Sequence, residues 1–222
     1  MQIKLLKRLK WIWYELCRIF CIVMLRILFH MDVEGGENIP RAGAFIIASN
    51  HQSFIDPLFC GFAVRKQLNF VGRNTLFKNR YFRWLILSLN ATPIKRDEAD
   101  LTAMKIIISK LREGGSVVLF PEATRTSDGR IADFKPGLEL LCKRGNAAVV
   151  PVLLDGAFES WPRTEKIFSV GSRIVVRYGR CITADEVRKM KGRDLADKLT
   201  VIIRQMQAQA RAEQGKKVFD YS

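Results

Sequence analysis

A histidine and an aspartate lie five residues apart in the stretch SNHQSFIDP, residues 49–57, which begins inside an apolar run. His51 is one of only two histidines in the chain, and Pro57 directly follows Asp56. A carboxylate that accepts a hydrogen bond from one imidazole nitrogen fixes the tautomer and stabilises the imidazolium. The other nitrogen can then take a proton from a hydroxyl. The pair therefore predicts general-base chemistry on an alcohol.

The spacing of this pair limits where the two residues can lie. Five residues place two side chains about 140° apart around an ideal helix. They meet more easily if His51 is on a loop and Asp56 is in or near the first helical turn. The alternative is a loop histidine bonded to the backbone, with Asp56 before Pro57 as an ordinary helix cap. Because the chain has no GxSxG serine, the nucleophile need not be a protein group, and a substrate alcohol activated by His51 fits the pattern.

A second polar loop carries groups that suit an anion. The stretch FPEATRTSDG, residues 120–129, puts Glu122 and Arg125 just past the apolar run SVVLF. Arginine can grip a phosphate through two donors. Lys135, in FKPG, comes before a predicted helix start, where an anion is also favoured. Taken alone, the same loop also fits a solvated surface with Glu122 and Arg125 as an ion pair.

The segments around these loops alternate between two patterns. Short continuous apolar runs predict buried strands, and longer periodic segments bounded by Pro or Gly predict helices. The predicted strands are 44–49, 68–72, 116–120, 147–154 and 172–179, with a short edge segment at 92–96. The predicted helices are 57–66, 81–89, 97–115, 136–145 and a polar C-terminal helix opened by a capping box of Thr183 and Glu186, followed by a loose tail after Gln214.

This alternation predicts an α/β fold: a mostly parallel sheet covered by helices on both faces. In such sheets reactive residues lie on the loops beyond the carboxyl ends of the strands. Both polar loops follow predicted strands. The pattern therefore predicts that the two loops share one edge of the sheet.

The first thirty residues are basic, aromatic and apolar. Their longest apolar run, Ile19 to Leu25, is shorter than the roughly 20 residues that cross a bilayer. Charged interruptions and the lack of a small-residue cleavage site argue against a signal peptide. Six basic residues against Glu15 alone give the segment a charge of +5, and Trp11, Trp13 and Tyr14 lie in its middle. This composition predicts an amphipathic helix on an anionic membrane surface; the alternative is a helix packed on the protein's own core.

The whole chain of 222 residues carries a net charge of +15. An excess of this size indicates an anionic partner, which could be nucleic acid, an anionic membrane or a phosphorylated substrate; a solvated basic surface is the alternative. No zinc-finger, helix-turn-helix or RNA-recognition pattern is present, so we expect no nucleic-acid partner. Five cysteines without a CxxC pair and two histidines make a structural zinc site implausible, so we expect no metal.

Taken in order, the motifs resemble the glycerolipid acyltransferases that include 1-acylglycerol-3-phosphate acyltransferase. NHQSFID resembles the NHxxxxD block of that family, FPEATRT its FPEGTRS block, FKPG its FKxG, and VVPVLLDGAF its block built around V-P-V. A looser match runs from Leu68 to a basic residue at Arg96. Ala123 replaces the usual glycine of the third block, so the loop or the acceptor is expected to differ somewhat.

The resemblance implies acyl transfer from acyl-CoA or acyl carrier protein to the hydroxyl of a lysophospholipid, with 1-acylglycerol-3-phosphate giving phosphatidic acid. Another lysophospholipid or a lyso-aminolipid is the alternative acceptor, and a catalytically inactive membrane scaffold is a further alternative. No metal or cofactor is implied. The roles implied are His51 as base, Asp56 as its orienting partner, and Glu122, Arg125, Arg96 and Lys135 as groups that hold the glycerol phosphate.

The same resemblance divides the chain into two parts. Residues 1–30 would be a membrane-associating helical segment, and residues 31–222 would be the acyltransferase domain, with the family motifs between about 40 and 160. Because the acceptor resides in the bilayer and the thioester donor is cytosolic, the expected location is the cytoplasmic face of a membrane, monotopic or peripheral.

Overall fold

A twisted sheet forms the centre of the protein, for which a computed structural model describes residues 2–94 and 99–221. Its described strands are β1 (His30–Glu34), β2 (Phe45–Ser49), β3 (Leu68–Arg73), β4 (Ala91–Ile94), β5 (Ser116–Leu119), β6 (Ala148–Asp155) and β7 (Arg173–Tyr178). They lie side by side in the order β1-β7-β6-β2-β5-β3-β4.

Most neighbouring strands run parallel. β2 pairs in parallel with both β5 and β6, β5 pairs with β3, and β3 pairs with β4. Only β7 runs antiparallel to its neighbour β6, and β1 then pairs in parallel with β7. The predicted mostly parallel α/β sheet is confirmed. Because β2, β5, β6 and β3 share one direction, the loops that follow them open at the same edge of the sheet.

Helices cover both faces of this sheet. They are α1 (Gln2–Leu28), α2 (Asp56–Cys60), α3 (Arg80–Ser88), α4 (Ala99–Arg112), α5 (Leu138–Gly145), α6 (Ala157–Ser160), α7 (Ala184–Lys189) and α8 (Asp194–Glu213). One core cluster joins the sheet to α4, α5, α7 and α8, and a second joins it to α2 and the end of α1. In β2, Ile46 belongs to the first cluster and Phe45 and Ile47 to the second, which explains its uninterrupted apolar run.

Three predicted helices differ from those observed. The helix predicted at 57–66 is only α2, because the chain turns at Gly61. The helix predicted from residue 136 begins at Leu138, since Gly137 before it takes a left-handed φ of 111°. The single predicted C-terminal helix is two, α7 and α8, with Gly192 between them at a φ of 56°. The predicted capping box of Thr183 and Glu186 is present at the start of α7.

Two further parts of the chain depart from expectation. Residues 1–30 were predicted as one helical segment, but α1 ends at Leu28 and His30 opens the edge strand β1, where it pairs with Arg173 of β7. The run HMDVE has too little apolar character to read as a strand, and its charged residues form ion pairs with β7 instead of a core. The tail after Gln214 was predicted to be loose, but Tyr221 packs against the body of the protein through hydrogen bonds.

Helix α1 is fixed to the domain at two points along its length. The Tyr14 hydroxyl accepts a hydrogen bond from the Leu68 N–H at 3.0 Å, and Leu25 is buried in the second core cluster. Much of the remaining apolar surface of α1 is exposed. Within the described residues, no helix is both long enough and apolar enough to cross a membrane.

Candidate active site

The loop that carries His51 is fastened to the neighbouring strand β6 by Asn50. The Asn50 side chain donates to the Leu154 carbonyl and accepts from the Leu154 N–H, both at 2.8 Å. Asn50 is buried, so this two-way bond stabilises the loop against movement away from the sheet edge. The conformation of the loop is therefore set before any substrate binds.

His51 and Asp56 meet as the loop-and-helix arrangement predicts. His51 lies on the loop, Asp56 is the first residue of α2, and His51 Nδ1 lies 2.7 Å from Asp56 Oδ2. The same oxygen accepts from the main-chain N–H groups of Gln52 at 2.6 Å and Ser53 at 2.7 Å. Asp56 is therefore neither a simple cap nor a solvated acid, because one of its oxygens gathers three donors.

Burial disfavours the charged form of Asp56, and these donors stabilise it. Its side chain is fully buried, and burial raises the pKa of Asp56, while the hydrogen bonds from His51, Ser53 and Gln52 oppose that shift. Its second oxygen, Oδ1, is buried without a hydrogen-bond partner among the described residues. An imidazolium at His51 would therefore be stabilised by a buried carboxylate whose other donors are two main-chain N–H groups.

The orientation of the His51 ring is fixed from several sides. The ring stacks on Phe120 with centroids 4.1 Å apart and planes 18° apart. The His51 carbonyl accepts from the Thr126 N–H at 2.8 Å, which ties its backbone to the second loop. The imidazole side chain remains 22% exposed. With Nδ1 turned to Asp56, the nitrogen left for a substrate is Nε2.

Glu122 links the His51 loop to the second polar loop through main-chain hydrogen bonds. Its Oε1 accepts from the His51 N–H at 2.7 Å, and its Oε2 accepts from the Ala132 N–H at 3.0 Å. Burial raises the pKa of Glu122 to about 7, although both main-chain hydrogen bonds lower it. The carboxylate is only 5% exposed. Both of its oxygens thus accept hydrogen bonds from main-chain amides. Glu122 therefore helps to fix the loops, a role that the sequence did not predict.

Arg125 belongs to a group of three arginines. It is partly buried, and burial lowers the pKa of Arg125; the positive charges of Arg163 and Arg73 lower it further, and Asp56 raises it. Arg163 also reaches Thr124 beside it, with Nη1 3.4 Å from Oγ1. We call Arg73, Arg125 and Arg163 the arginine group. Cations held together at the carboxyl ends of strands favour an anionic ligand.

Sequence reasoning found only one member of the arginine group. Arg73 ends β3 and lies in the loosely matching second block, so its position after a strand was the one available signal. Arg163 lies beyond all the recognised blocks, and no local pattern marks it. Fold topology alone brings these two residues to Arg125.

The remaining predicted binding residues are placed less centrally. The Lys135 N–H donates to the Pro121 carbonyl at 3.0 Å, so its backbone lies at the base of the second loop. Its side chain is exposed, and the described contacts do not join it to His51, Asp56 or the arginine group. Arg96 lies outside the described residues.

Ala123 adopts a left-handed conformation with a φ of 62°. Its N–H donates to the Phe120 carbonyl at 3.0 Å, which closes a tight turn between the stacking ring and Glu122. An L-residue with a Cβ pays roughly 1–2 kcal/mol in this region. Alanine therefore holds a left-handed position, of the kind that glycine serves without strain, at a cost in strain. The expected difference in the loop or the acceptor stays a prediction.

An aromatic rim borders the site. Phe54, on the His51 loop, lies 5.6 Å from the Trp161 ring and 6.5 Å from the Phe82 ring of α3, measured between centroids. Trp161 in turn lies 5.5 Å from Phe168. Phe54 is 41% exposed, so the rim is partly open to an apolar ligand. Among the described residues, no cluster of His, Cys, Asp and Glu side chains could hold a metal ion.

The fold and the site define an α/β protein with a histidine–carboxylate pair and neighbouring arginine side chains at one edge of its sheet. A family model described as Acyltransferase matches residues 30–155, more than half of the chain. The chain belongs to this acyltransferase family.

Named relatives point the same way. The chain is 28% identical over 167 residues to 1-acyl-sn-glycerol-3-phosphate acyltransferase LPAT1, chloroplastic, of Arabidopsis thaliana, with 74% of this chain and 45% of the plant protein covered. It is 30% identical over 148 residues to the 1-acyl-sn-glycerol-3-phosphate acyltransferase of Streptococcus pneumoniae, covering 66% and 53%. The chain thus spans about half the length of these relatives.

A solved structure is also similar. The crystal structure of the 1-acyl-sn-glycerophosphate (LPA) acyltransferase PlsC from Thermotoga maritima superposes with a TM-score of 0.73 at 26% identity. The match covers 87% of this chain and 78% of that one. The similarity therefore extends over the fold as a whole and is not confined to the motifs.

Proposed function

We propose that this protein transfers an acyl group from a thioester, acyl-CoA or acyl carrier protein, to the free hydroxyl of 1-acylglycerol-3-phosphate, giving phosphatidic acid. The observation that carries the proposal is the 2.7 Å contact of His51 Nδ1 with buried Asp56, at the same sheet edge as the arginine group. The names of the related proteins support this choice of acceptor.

The geometry supports a direct transfer. Nε2 of neutral His51 takes the proton of the acceptor hydroxyl while the oxygen attacks the thioester carbonyl carbon. The carbon–sulfur bond then breaks, and the imidazolium returns the proton to the departing thiolate sulfur. Asp56 stabilises the imidazolium between these events through its hydrogen bond to Nδ1. No protein nucleophile and no metal or cofactor enters this scheme.

Three parts of the site suit three parts of the substrates. The arginine group would hold the phosphate of the acceptor, because guanidinium groups match phosphate oxygens in shape and charge. The aromatic rim of Phe54, Phe82, Trp161 and Phe168 would accept acyl chains. Glu122 would act on the acceptor through the loops that it holds, while Lys135 and Arg96 remain predicted phosphate contacts.

Replacing Arg125 with alanine is expected to weaken acceptor binding more than thioester binding. Loss of a charge-assisted contact costs about 1.5–3 kcal/mol, which corresponds to a roughly 10- to 150-fold rise in the KM for the lysolipid. Initial rates measured against each substrate in turn test this. The matched control is Arg41→Ala, which removes the same charge from an exposed position on the loop before β2, at the opposite edge of the sheet. A rise confined to the KM of the thioester would show that Arg125 binds the donor.

A thioester-release assay on the full chain tests the proposed activity itself. Both donor types would be offered with lysophosphatidate, with other lysophospholipids and with a lyso-aminolipid. Release that depends on lysophosphatidate supports the proposal. Release only with a different acceptor keeps the chemistry and changes the substrate. Salt-sensitive oligonucleotide binding without any release would favour a nucleic-acid-binding protein instead.

We further propose that the exposed apolar residues of α1 and α3 rest on an anionic membrane. The two helices are joined side by side: Trp13 Nε1 donates to Ser88 Oγ at 2.9 Å, and the Trp13 and Trp84 rings lie 5.8 Å apart. The interfacial surface is defined by Leu5, Leu6, Leu9, Trp11, Ile12, Leu16, Ile19, Phe20, Val23 and Ile27 of α1 with Tyr81, Trp84 and Leu87 of α3.

Two features support this surface. The basic residues Lys4, Lys7, Arg8 and Lys10 are exposed beside the apolar ones, which suits anionic headgroups. The aromatic rim touches α3 through Phe82, so an acceptor could pass from the bilayer to His51 without crossing open water. On this proposal the anchored side of α1, with Tyr14 and Leu25, faces the protein.

The double substitution Leu6→Glu, Phe20→Glu is expected to release the protein from vesicles of anionic phospholipid. Both residues are about two-thirds exposed, so the fold should be kept. Two large side chains buried in a membrane stabilise binding by about 3 kcal/mol together, so affinity should fall at least about 100-fold in flotation. Turnover on a vesicle-borne acceptor should fall more than turnover on a dispersed short-chain acceptor.

A matched control is available for this test. Leu101 of α4 is 73% exposed and belongs to a helix on the other face of the sheet. Leu101→Glu adds the same kind of charge away from the interfacial surface and should float like wild-type protein. Equal flotation of all three proteins would assign the membrane contact to another surface.

A further inference from the structure

The last residues of the chain cross back over the loop that carries Glu122. We call residues 215–221 the C-terminal strap. Arg211 of α8 holds its start: the Arg211 carbonyl accepts from the Lys216 N–H at 2.8 Å, and Arg211 Nε donates to the Lys217 carbonyl at 2.7 Å. The Phe219 ring lies 4.4 Å from the Arg211 guanidinium. The strap is thus attached to a buried arginine and does not hang free.

Tyr221 contacts the active-site loop directly. Its hydroxyl accepts from the Ile131 N–H at 2.8 Å and donates to Gln207 Oε1 at 2.5 Å. Its ring lies 4.4 Å from the guanidinium of Arg204 and 5.3 Å from that of Arg130. Ile131 and Gln207 are almost completely buried. The hydroxyl therefore bridges the loop and α8 through two residues that are themselves buried.

The neighbouring loop residues are held from the same side. Arg204 donates to the Ile131 carbonyl at 2.8 and 3.1 Å, so Ile131 is gripped at both its N–H and its carbonyl. Gln207 Nε2 donates to the Gly129 carbonyl at 3.1 Å. Gly129 has a φ of 85°, and a Cβ there would lie 3.3 Å from the Phe219 ring. Strap and loop are therefore closely packed around Ile131.

A short chain of bonds connects this grip to the histidine. The residue after Ile131 is Ala132, whose N–H donates to Glu122 Oε2 at 3.0 Å. Glu122 Oε1 accepts the His51 N–H at 2.7 Å. A shift of Ile131 would move the Ala132 N–H and loosen Glu122, which is one of two groups that bond the backbone of His51. Misplacement of a reacting group by about 1 Å can cost on the order of 100-fold in rate.

We propose that Tyr221 is a positioning residue for acyl transfer, holding Ile131 through its hydroxyl so that Ala132 and Glu122 keep His51 in register with its substrate. This inference rests on the proposed function. Tyr221 touches neither substrate nor reacting atoms, and it acts only through the loop. Because Tyr221 belongs to the C-terminal strap, the strap is part of the active-site support.

The positioning role of Tyr221 predicts a change in the pH dependence of activity. Charged and titratable groups reach Glu122 from every side: His51 and Asp56 from the first loop and α2, Arg204 from α8 and Tyr221 from the strap. Ionised Glu122 accepts both amides, and the Ala132 hydrogen bond lowers the pKa of Glu122, which burial raises to about 7. Weakening that bond raises the pKa further. Activity should then be lost at a higher pH on the acid side of the profile.

Tyr221→Phe tests the proposal, since it keeps the ring and removes only the hydroxyl. The expected result is a fall in kcat of about 10-fold, with a smaller change in the KM of the thioester and an acid limb moved to higher pH. Amide hydrogen exchange at Ile131 and Ala132 should quicken. The control is Ile203→Val, in the same helix as Gln207 and fully buried, which lowers stability but leaves both hydrogen bonds of the Tyr221 hydroxyl in place.

The possible results distinguish failure of the positioning role from failure of the proposed function. If wild-type protein transfers acyl groups and Tyr221→Phe matches it in kcat, pH profile and exchange, the positioning role is wrong and the proposed function stands. If Ile203→Val shifts the acid limb as much as Tyr221→Phe does, the effect is general destabilisation and the proposal falls. If wild-type protein shows no transfer, the proposed function fails, and exchange at Ile131 still shows whether Tyr221 holds the loop.

Discussion

His51→Ala is expected to lower kcat by about 10²–10⁴-fold, because the acceptor hydroxyl loses the base that takes its proton. Turnover of a thioester with lysophosphatidate measures the change. The fold should survive, since the His51 backbone bonds to Glu122 and Thr126 do not depend on the imidazole. A folded His51→Ala protein with near-wild-type turnover would falsify the proposed mechanism.

The second histidine of the chain offers a matched control. His30 is exposed on the edge strand β1, and its main chain pairs with β7. His30→Ala removes the same side chain from the outermost strand of the sheet, which β7 and β6 separate from β2 and the His51 loop. Its turnover should equal that of the wild type. Equal losses in the two variants would mean that the assay reports folding rather than base catalysis.

Asp56→Asn is expected to lower kcat by about 10²–10⁴-fold as well. The amide keeps the size of the side chain, and its oxygen can still face His51 Nδ1, but it removes the charge that stabilises the imidazolium. Because the substitution acts on His51 rather than on binding, the KM values of both substrates should change little. Steady-state kinetics at saturating acceptor separate a fall in kcat from a change in KM. A wild-type kcat in Asp56→Asn would show that His51 does not need a charged partner for catalysis.

The stability of this variant should change by no more than about 2 kcal/mol, because two effects oppose each other. Burial raises the pKa of Asp56, so keeping it ionised at neutral pH costs folding free energy that is absent below its ordinary value of 3.8. The amide removes that cost. It also puts an NH2 group where Oδ1 is buried without a partner. Thermal melting at neutral pH measures the balance, and Asp185→Asn on the exposed surface of α7 serves as the control.

The proposed membrane contact draws on both interpretations of the first helix. Tyr14 and Leu25 pack on the domain, as the core-packed alternative requires, while most large apolar side chains of α1 stay exposed, as an interfacial helix requires. Both patterns exist on one helix because its apolar residues cover more than one face. The sequence period alone could not decide which face turns inward, since that depends on where β3 and α3 lie.

The amino-acid sequence by itself determined the layered α/β class, most strand positions and the His51–Asp56 contact. Each of these depends on residues close together in the chain. Continuous apolar runs mark strands that are buried on both faces. A five-residue spacing that starts on a loop and ends in the first helical turn allows few arrangements of the His51 and Asp56 side chains. The capping box at Thr183 is local in the same way, because both partners lie within one turn.

Only the tertiary structure decided which distant residues complete the site. Arg73 at the end of β3 and Arg163 after α6 both lower the pKa of Arg125 through their charge, and neither lies in a local sequence pattern that marks it. The resemblance assigned Glu122 to the glycerol phosphate, with a surface ion pair to Arg125 as the alternative. In the structure its carboxylate is buried and accepts from the amides of His51 and Ala132, which no sequence pattern indicated. Tyr221 belonged to a tail with no periodicity. Its contact with Ile131 spans ninety residues and exists only because α8 brings the chain end back to the loop.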